Sequence, residues 1–201
     1  MHPDKPLTKR FSFSTITDET MKLRVFISIP IANTAGLGPL IRDLKTVRGV
    51  RTSNVAQLHI TLRFLGDVDE ERIDEIGEIV SDTVSDIQKS RLSLKGLGCF
   101  PNERNPKVLW VGIDTALPLG RIADELSAKL RKAGIPFDEK PFKPHVTIGR
   151  IEGRCNIAPM LGKYRTTEFT TCIPSAVYVM KSELKPTGAE HTVLRYCELK
   201  D

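Results

Sequence analysis

The sequence predicts a mixed α and β chain built from two similar β-α-β-α-β units and one closing strand. Two observations point there. Two strings, His59-Ile60-Thr61-Leu62 and His145-Val146-Thr147-Ile148, each place a His-x-Thr on a strand pattern, 86 residues apart. Shifting the first strand, first helix, acidic helix and 91–100 strand by the same 86 residues lands near matching second-half elements. Two lobes related by a pseudo-twofold axis would also bring the two His-x-Thr faces to one cleft.

The elements follow in order. Leu23–Pro30 reads as a strand stopped by Pro30. Residues 35–48 read as a helix, with Leu37, Leu40, Leu44 and Val47 or Ile41 on one side. Leu58–Leu65 is the first His-x-Thr strand, expected to end at Gly66-Asp67. A helix follows with Ile73, Ile76, Val80, Val84 and Ile87 at helical spacing and its acids outward. Arg91–Phe100 is a strand closed by Pro101. The order then recurs: strand Lys107–Ile113, a helix from Pro118 through Leu119, Ile122, Leu126, Leu130 and Ala133 to Gly134, and the second His-x-Thr strand after Pro144. A short helix at 156–163 and strands Ala176–Leu184 and Thr192–Leu199 complete the reading.

Composition bounds the class. The chain has 201 residues with 40% hydrophobic and 27% charged, which is ordinary for a globular protein. No apolar run approaches the ~20 residues of a membrane span, and no secretory signal opens the chain, so a cytoplasmic monomer is expected. The four cysteines have no C-x-x-C pair or zinc spacing, which favours reduced thiols and no metal. Net charge is +5, but residues 67–89 carry −7, leaving +12 on the rest. A basic body suits an anionic partner such as a nucleotide or RNA. Residues 1–20 mix charges with Ser and Thr and lack periodicity, so they read as a flexible N-terminal extension before a single bilobal domain at 21–201.

In a strand, residues i and i+2 share a face. Each string thus presents an imidazole beside a hydroxyl, with apolar residues behind. Opening a phosphodiester needs a base for the nucleophile and an acid for the departing oxygen, and histidine can serve as either near neutral pH. Threonine hydroxyls can donate to phosphate oxygens, and an arginine can offset charge building on phosphorus.

These strings and their flanks resemble the two-histidine phosphoesterase superfamily, and within it the RNA 2',3'-cyclic phosphodiesterases (LigT-like, formerly 2'-5' RNA ligases). The resemblance covers Met21 to the C-terminus: HITLRFLG at 59–66, FPN at 100–102 followed by KVLWVGI, KPHVTIGR at 143–150, and Ser182-Glu183-Leu184, Gly188 and Val193-Leu194 near the end. One departure is His191, where relatives usually carry tyrosine. The resemblance implies a bilobal α+β fold, two mainly antiparallel sheets flanking a central groove with helices outside, and no cofactor or metal. It implies hydrolysis of a 2',3'-cyclic phosphate on RNA ends or cyclic nucleotides to a 2'-phosphate. His59 and His145 would be the catalytic pair, acid and base respectively by analogy, with Thr61 and Thr147 holding phosphate oxygens. It also gives the residue five after each histidine a role: Phe64 in base or core packing, Arg150 on the phosphate.

Strand parity opposes that last assignment, because an odd offset faces away from the histidine. A charged Arg150 beside Val146 and Ile148 would be costly to bury. The strand is therefore expected to end or bulge near Gly149, releasing Arg150 to the groove. Parity alone adds Arg63 as a substrate contact. Trp110 and Phe142 could stack a base, although Trp110 reads better as core; Lys143, Lys107 and Lys181 could extend a basic track. Two alternatives remain: an RNA- or nucleotide-binding module without turnover, and a ligase or phosphodiesterase acting on 2'-5' linked RNA.

Overall fold

A computed structural model describes residues 21–201 except Thr187. The expected N-terminal extension at 1–20 lies outside the described residues. The chain runs β1 (Lys22–Pro30), α1 (Gly38–Lys45), β2 (Val50–Thr52), β3 (His59–Asp69), α2 (Ile73–Val84), β4 (Leu92–Phe100), β5 (Val108–Thr115), α3 (Leu119–Lys132), β6 (His145–Ile151), α4 (Ala158–Tyr164), β7 (Glu168–Cys172), β8 (Ala176–Lys185) and β9 (Gly188–Glu198).

Every registered strand pair is antiparallel, in the order β7-β4-β5-β6-β3-β1-β8-β9, with β2 added to β6. The two lobes, β1/β3/β8/β9 and β4/β5/β6/β7, join at one register pair, Ile60 with Val146. The 86-residue shift maps β1 onto β5, β3 onto β6 and β4 onto β8. The strand order therefore reads alike from both ends. Each repeat also sends its last strand to its sister: β4 pairs with β5, and β8 with β1.

Periodicity explains the layers. In β1, Leu23, Val25, Ile27 and Ile29 are buried on one face, while Arg24, Phe26 and Ser28 occupy the other. The first set packs on helices whose apolar stripes are Leu40, Ile41 and Leu44 in α1, Ile76 and Val80 in α2, and Ile122, Leu126 and Leu130 in α3. Gly134 then stops α3 in the left-handed region, at φ +67.

Three expectations need correction. β3 runs past Gly66 to Asp69, because Gly66 adopts φ +73 within the strand and keeps pairing with Val25. The first helix is shorter than 35–48, with a 3-10 turn over Ala35–Leu37 before it. Strands β2 and β7 were not expected: β2 has only three residues, and β7 (EFTTC) is a short, largely polar strand at the sheet end.

Among the described residues no helix is long and apolar enough to cross a membrane.

Candidate active site

The groove floor is the seam between β3 and β6. Pairing of Ile60 with Val146 in antiparallel sense sets His59 beside Thr147, and Thr61 beside His145. Ile60, Leu62, Val146 and Ile148 are essentially fully buried on the helix side, so both His-x-Thr faces turn the other way, partly open.

Each histidine is held the same way. The His59 Nδ1 lies 2.8 Å from the Gln57 carbonyl, and the His145 Nδ1 lies 2.6 Å from that of Lys143. A carbonyl oxygen only accepts, so both Nδ1 atoms carry the hydrogen and both Nε2 atoms are left for chemistry. The approaches also match. The turn before His59 is capped by Asn54, whose side chain accepts from the Ala56 N–H at 3.1 Å. The stretch before His145 is held extended by Pro141 and Pro144. Strand β2, leading to the first motif, pairs with β6 at Gly149–Ile151; the segment leading to the second donates from the Asp138 N–H to the Phe64 carbonyl at 2.8 Å. Each approach thus leans on the other repeat's strand.

Both strands bulge just after the threonine, and β3 bulges a second time at Leu65, between its Phe64–Phe26 and Gly66–Val25 pairs. Thr147 lies opposite Trp110, yet Gly149 lies opposite Leu109, so Ile148 is an extra residue. Likewise Thr61 faces Ser28 and Arg63 faces Ile27, making Leu62 extra. Each bulge flips the parity after the threonine. Arg150 comes out exposed on the face of His145 and Thr147, as the expected bulge near Gly149 requires. Phe64 comes to the face of His59, opposite Phe26, with the Arg24 guanidinium 4.8 Å from its ring centre.

The same flip overturns Arg63 as a groove residue. Simple alternation put it beside Thr61, but the bulge turns it to the helices, where it is only 8% exposed. Its Nε donates to Ser127 Oγ at 2.5 Å, its Nη1 to the Leu62 carbonyl at 3.1 Å, and Asp124 lies 3.6 Å from its Nη2. Burial pulls the guanidinium below its ordinary pKa, while Asp124 and Asp138 hold it up. Arg63 fastens β3 to α3.

The other expected residues divide. Trp110 is not in the helix-side core; it lies on the groove face, over Gly98 and 5.3 Å from the Phe100 ring. A Cβ at residue 98 would sit 2.2 Å from the indole, so only glycine admits the ring there. Phe142 packs against the apolar core. Lys143 stands 5.7 Å above the Phe100 ring at the groove edge. Lys181 is opposite buried Val25 and pairs with Glu183 at 3.2 Å, which takes it off the groove face; Lys107 is exposed beside β5.

Sequence reasoning missed the rings around each imidazole. Phe26 lies 4.8 Å and His191 5.1 Å from His59, while Phe100 meets His145 edge-on at 5.1 Å. For Phe26 the signal was available, since it alternates with core residues of β1. Burial holds His59 below the usual histidine value; the Gln57 carbonyl opposes this, and the His145 charge adds to it. Among the described residues no three His, Cys, Asp or Glu side chains cluster so as to hold a metal ion.

Comparison with known proteins gives the family. Residues 34–185 match the family model of the 2'-5' RNA ligase superfamily. An RNA 2',3'-cyclic phosphodiesterase from Archaeoglobus fulgidus is 32% identical over 179 residues, covering 88% of this chain and 100% of the relative. One from Aquifex aeolicus is 36% identical over 157 residues, covering 76% and 82%. The crystal structure of TT0787 from Thermus thermophilus superposes with a TM-score of 0.75 at 28% identity, over 89% of this chain and 98% of that one. E. coli LigT complexed with NADP+ shares the fold, with a TM-score of 0.68 at 18% identity over 90% and 100%. The chain belongs to the 2'-5' RNA ligase superfamily, among the LigT-like RNA 2',3'-cyclic phosphodiesterases.

Proposed function

We propose that this protein hydrolyses 2',3'-cyclic phosphates on RNA ends or nucleotides to 2'-phosphates, without a metal. The observation that carries the reading is the pair of Nδ1-anchored imidazoles, each beside a threonine hydroxyl, on the two sides of one seam. Relatives named for this activity support it across most of the chain.

In the proposed step, the Nε2 of one histidine takes a proton from water as the oxygen attacks phosphorus. The bond to the 3' oxygen breaks, and the Nε2–H of the other histidine protonates it. By analogy with relatives, His145 is the base and His59 the acid. Thr61 and Thr147 donate to the non-bridging oxygens. Arg150 offsets the charge that builds on them, from the position its bulge provides.

The test is turnover of a 2',3'-cyclic nucleotide in excess EDTA, with the product phosphate located by 31P NMR. A 2'-monophosphate is expected. Tight binding without product under single-turnover conditions would instead indicate a binding module. Preferential cleavage or joining of 2'-5' linked RNA would move the substrate within the same chemistry.

A further inference from the structure

We propose that His191 is a positioning residue for His59, packed against it so that the two imidazoles cannot readily carry protons together. The inference rests on the function proposed above for what it means in catalysis, but not for its geometry. Three rings close a triangle on the groove face: Phe26 to His59 at 4.8 Å, Phe26 to His191 at 4.9 Å, and His59 to His191 at 5.1 Å. His191 meets both neighbours edge-on, at 69° and 77°. It arrives from β9, where it pairs with Ser182 of β8. Among the described residues, neither ring nitrogen of His191 is hydrogen-bonded to protein.

His59 is thus fixed on three sides. The Gln57 carbonyl holds Nδ1, the Phe26 ring lies against the imidazole, and the His191 edge closes the side toward β9. With Nδ1 held, Nε2 is the ring nitrogen left for chemistry. Two imidazoles at this separation repel when both are charged, so a proton on His191 opposes one on His59. The titratable groups facing His59 are His191 from β9 and His145 from β6; Phe26 of β1 and Ser182 of β8 bring no charge. The neighbouring Glu183–Glu190 pair falls on the opposite face of the hairpin, with Lys181. Burial and the His59 charge together hold His191 itself below the usual histidine value.

Among the described residues, the second motif has no second imidazole packed against its histidine in this way. Around His145 the corresponding company is Phe100 and, above that ring, Lys143. Two identical His-x-Thr strings therefore become unequal through residues outside both. His191 thus adds, from outside both strings, a titrating ring packed directly against His59.

The experiment combines histidine NMR titration with the pH profile of kcat/KM on a 2',3'-cyclic nucleotide. In the wild type, the His59 and His191 ring signals should titrate interdependently, each disturbed as the other gains its proton. His191→Phe keeps a ring and removes the charge; His191→Tyr does the same with a hydroxyl. In both, the His59 titration should move upward by roughly half a unit or more. One limb of the rate profile should move with it, and that limb identifies the role of His59. Independent single-proton curves in the wild type, or a His59 titration unmoved in the folded variants, would overturn the proposal. So would a uniform loss of rate at all pH values with the limbs in place, which marks mere packing. If the cyclic nucleotide is not a substrate, the rates vanish in every protein while the NMR titrations still decide.

Discussion

The two His-x-Thr strands share a plan and differ in what they do with it. Both anchor Nδ1 on the carbonyl two residues back, both insert one extra residue after the threonine, and both return the fifth residue to the groove. The differences begin after the bulge. In β3 the next positions are Arg63 and Phe64; in β6 they are Gly149 and Arg150. The first lobe buries its arginine against α3 and offers an aromatic ring to the groove. The second has a glycine at the bulge and offers the arginine. Duplicated geometry thus supplies two equivalent imidazoles, and the residues that follow divide the other tasks between the lobes.

The largest effect should come from the shared part. Replacing either His59 or His145 by Ala is expected to lower kcat at least ~100-fold, the usual scale of general acid–base catalysis. If the pair works as a unit, the double replacement should cost little more than either single one, as measured by single-turnover rates on the same cyclic nucleotide. Full activity in either single variant would sink the two-histidine mechanism.

The next tests bear on the fifth position. Arg150→Ala is expected to lower kcat ~100-fold, on the scale of a lost transition-state donor. Phe64→Leu, at the equivalent place, should act mainly on KM and by less than ~10-fold, since removing part of one stacking face costs about 1 kcal/mol. Equal kcat losses at both positions would mean that the lobes do not divide these tasks.

One residue earlier the comparison concerns stability. Arg63→Ala removes a buried guanidinium with partners on Ser127, Leu62 and Asp124, and should destabilise by about 2–3 kcal/mol. The kcat/KM of the remaining folded protein should hold. Gly149→Ala would place a Cβ 2.9 Å from the Arg51 carbonyl oxygen on β2. The overpacking cost is about 1–3 kcal/mol, and the strain falls on the bulge that aims Arg150. Urea unfolding with parallel kinetics separates the two: Arg63→Ala should lose stability alone, Gly149→Ala stability and kcat together.

The same comparison shows what a sequence makes legible. Period-two and period-3.6 patterns located the long elements, because burial on one face dictates residue type at every second or third position. The 86-residue spacing gave the lobe symmetry, and the cost of burying Arg150 called for the bulge at Gly149. Strand parity misplaces Arg63, where the same bulge occurs but no glycine announces it. Leu62 and Arg63 both turn inward, which a charged residue after a leucine does not announce, and the arginine is accommodated there by Ser127 and Asp124 of α3. The His59–Phe26–His191 triangle was also hidden, since it joins residues from three strands whose order in the sheet differs from their order in the chain.

The smallest expected effect is on stability against pH, and it too separates the lobes. His59 and His191 both sit below the ordinary histidine value, chiefly because burial disfavours the charged ring. The unfolded chain, with histidine pKa values near ~6.5, then binds protons more readily than the folded one. Their contribution is present above ~6.5 and is lost as pH falls through that value toward the lower folded ones. The carboxylates with lowered values, Asp43 and Asp138, lose theirs only below about 4, so the windows are distinct. Urea midpoints measured from pH 7.5 to 5 should therefore decline in the wild type. The decline should shrink in His191→Phe, which leaves only His59 of the two half-buried rings, and a slope unchanged by that replacement would place the acid sensitivity elsewhere in the fold.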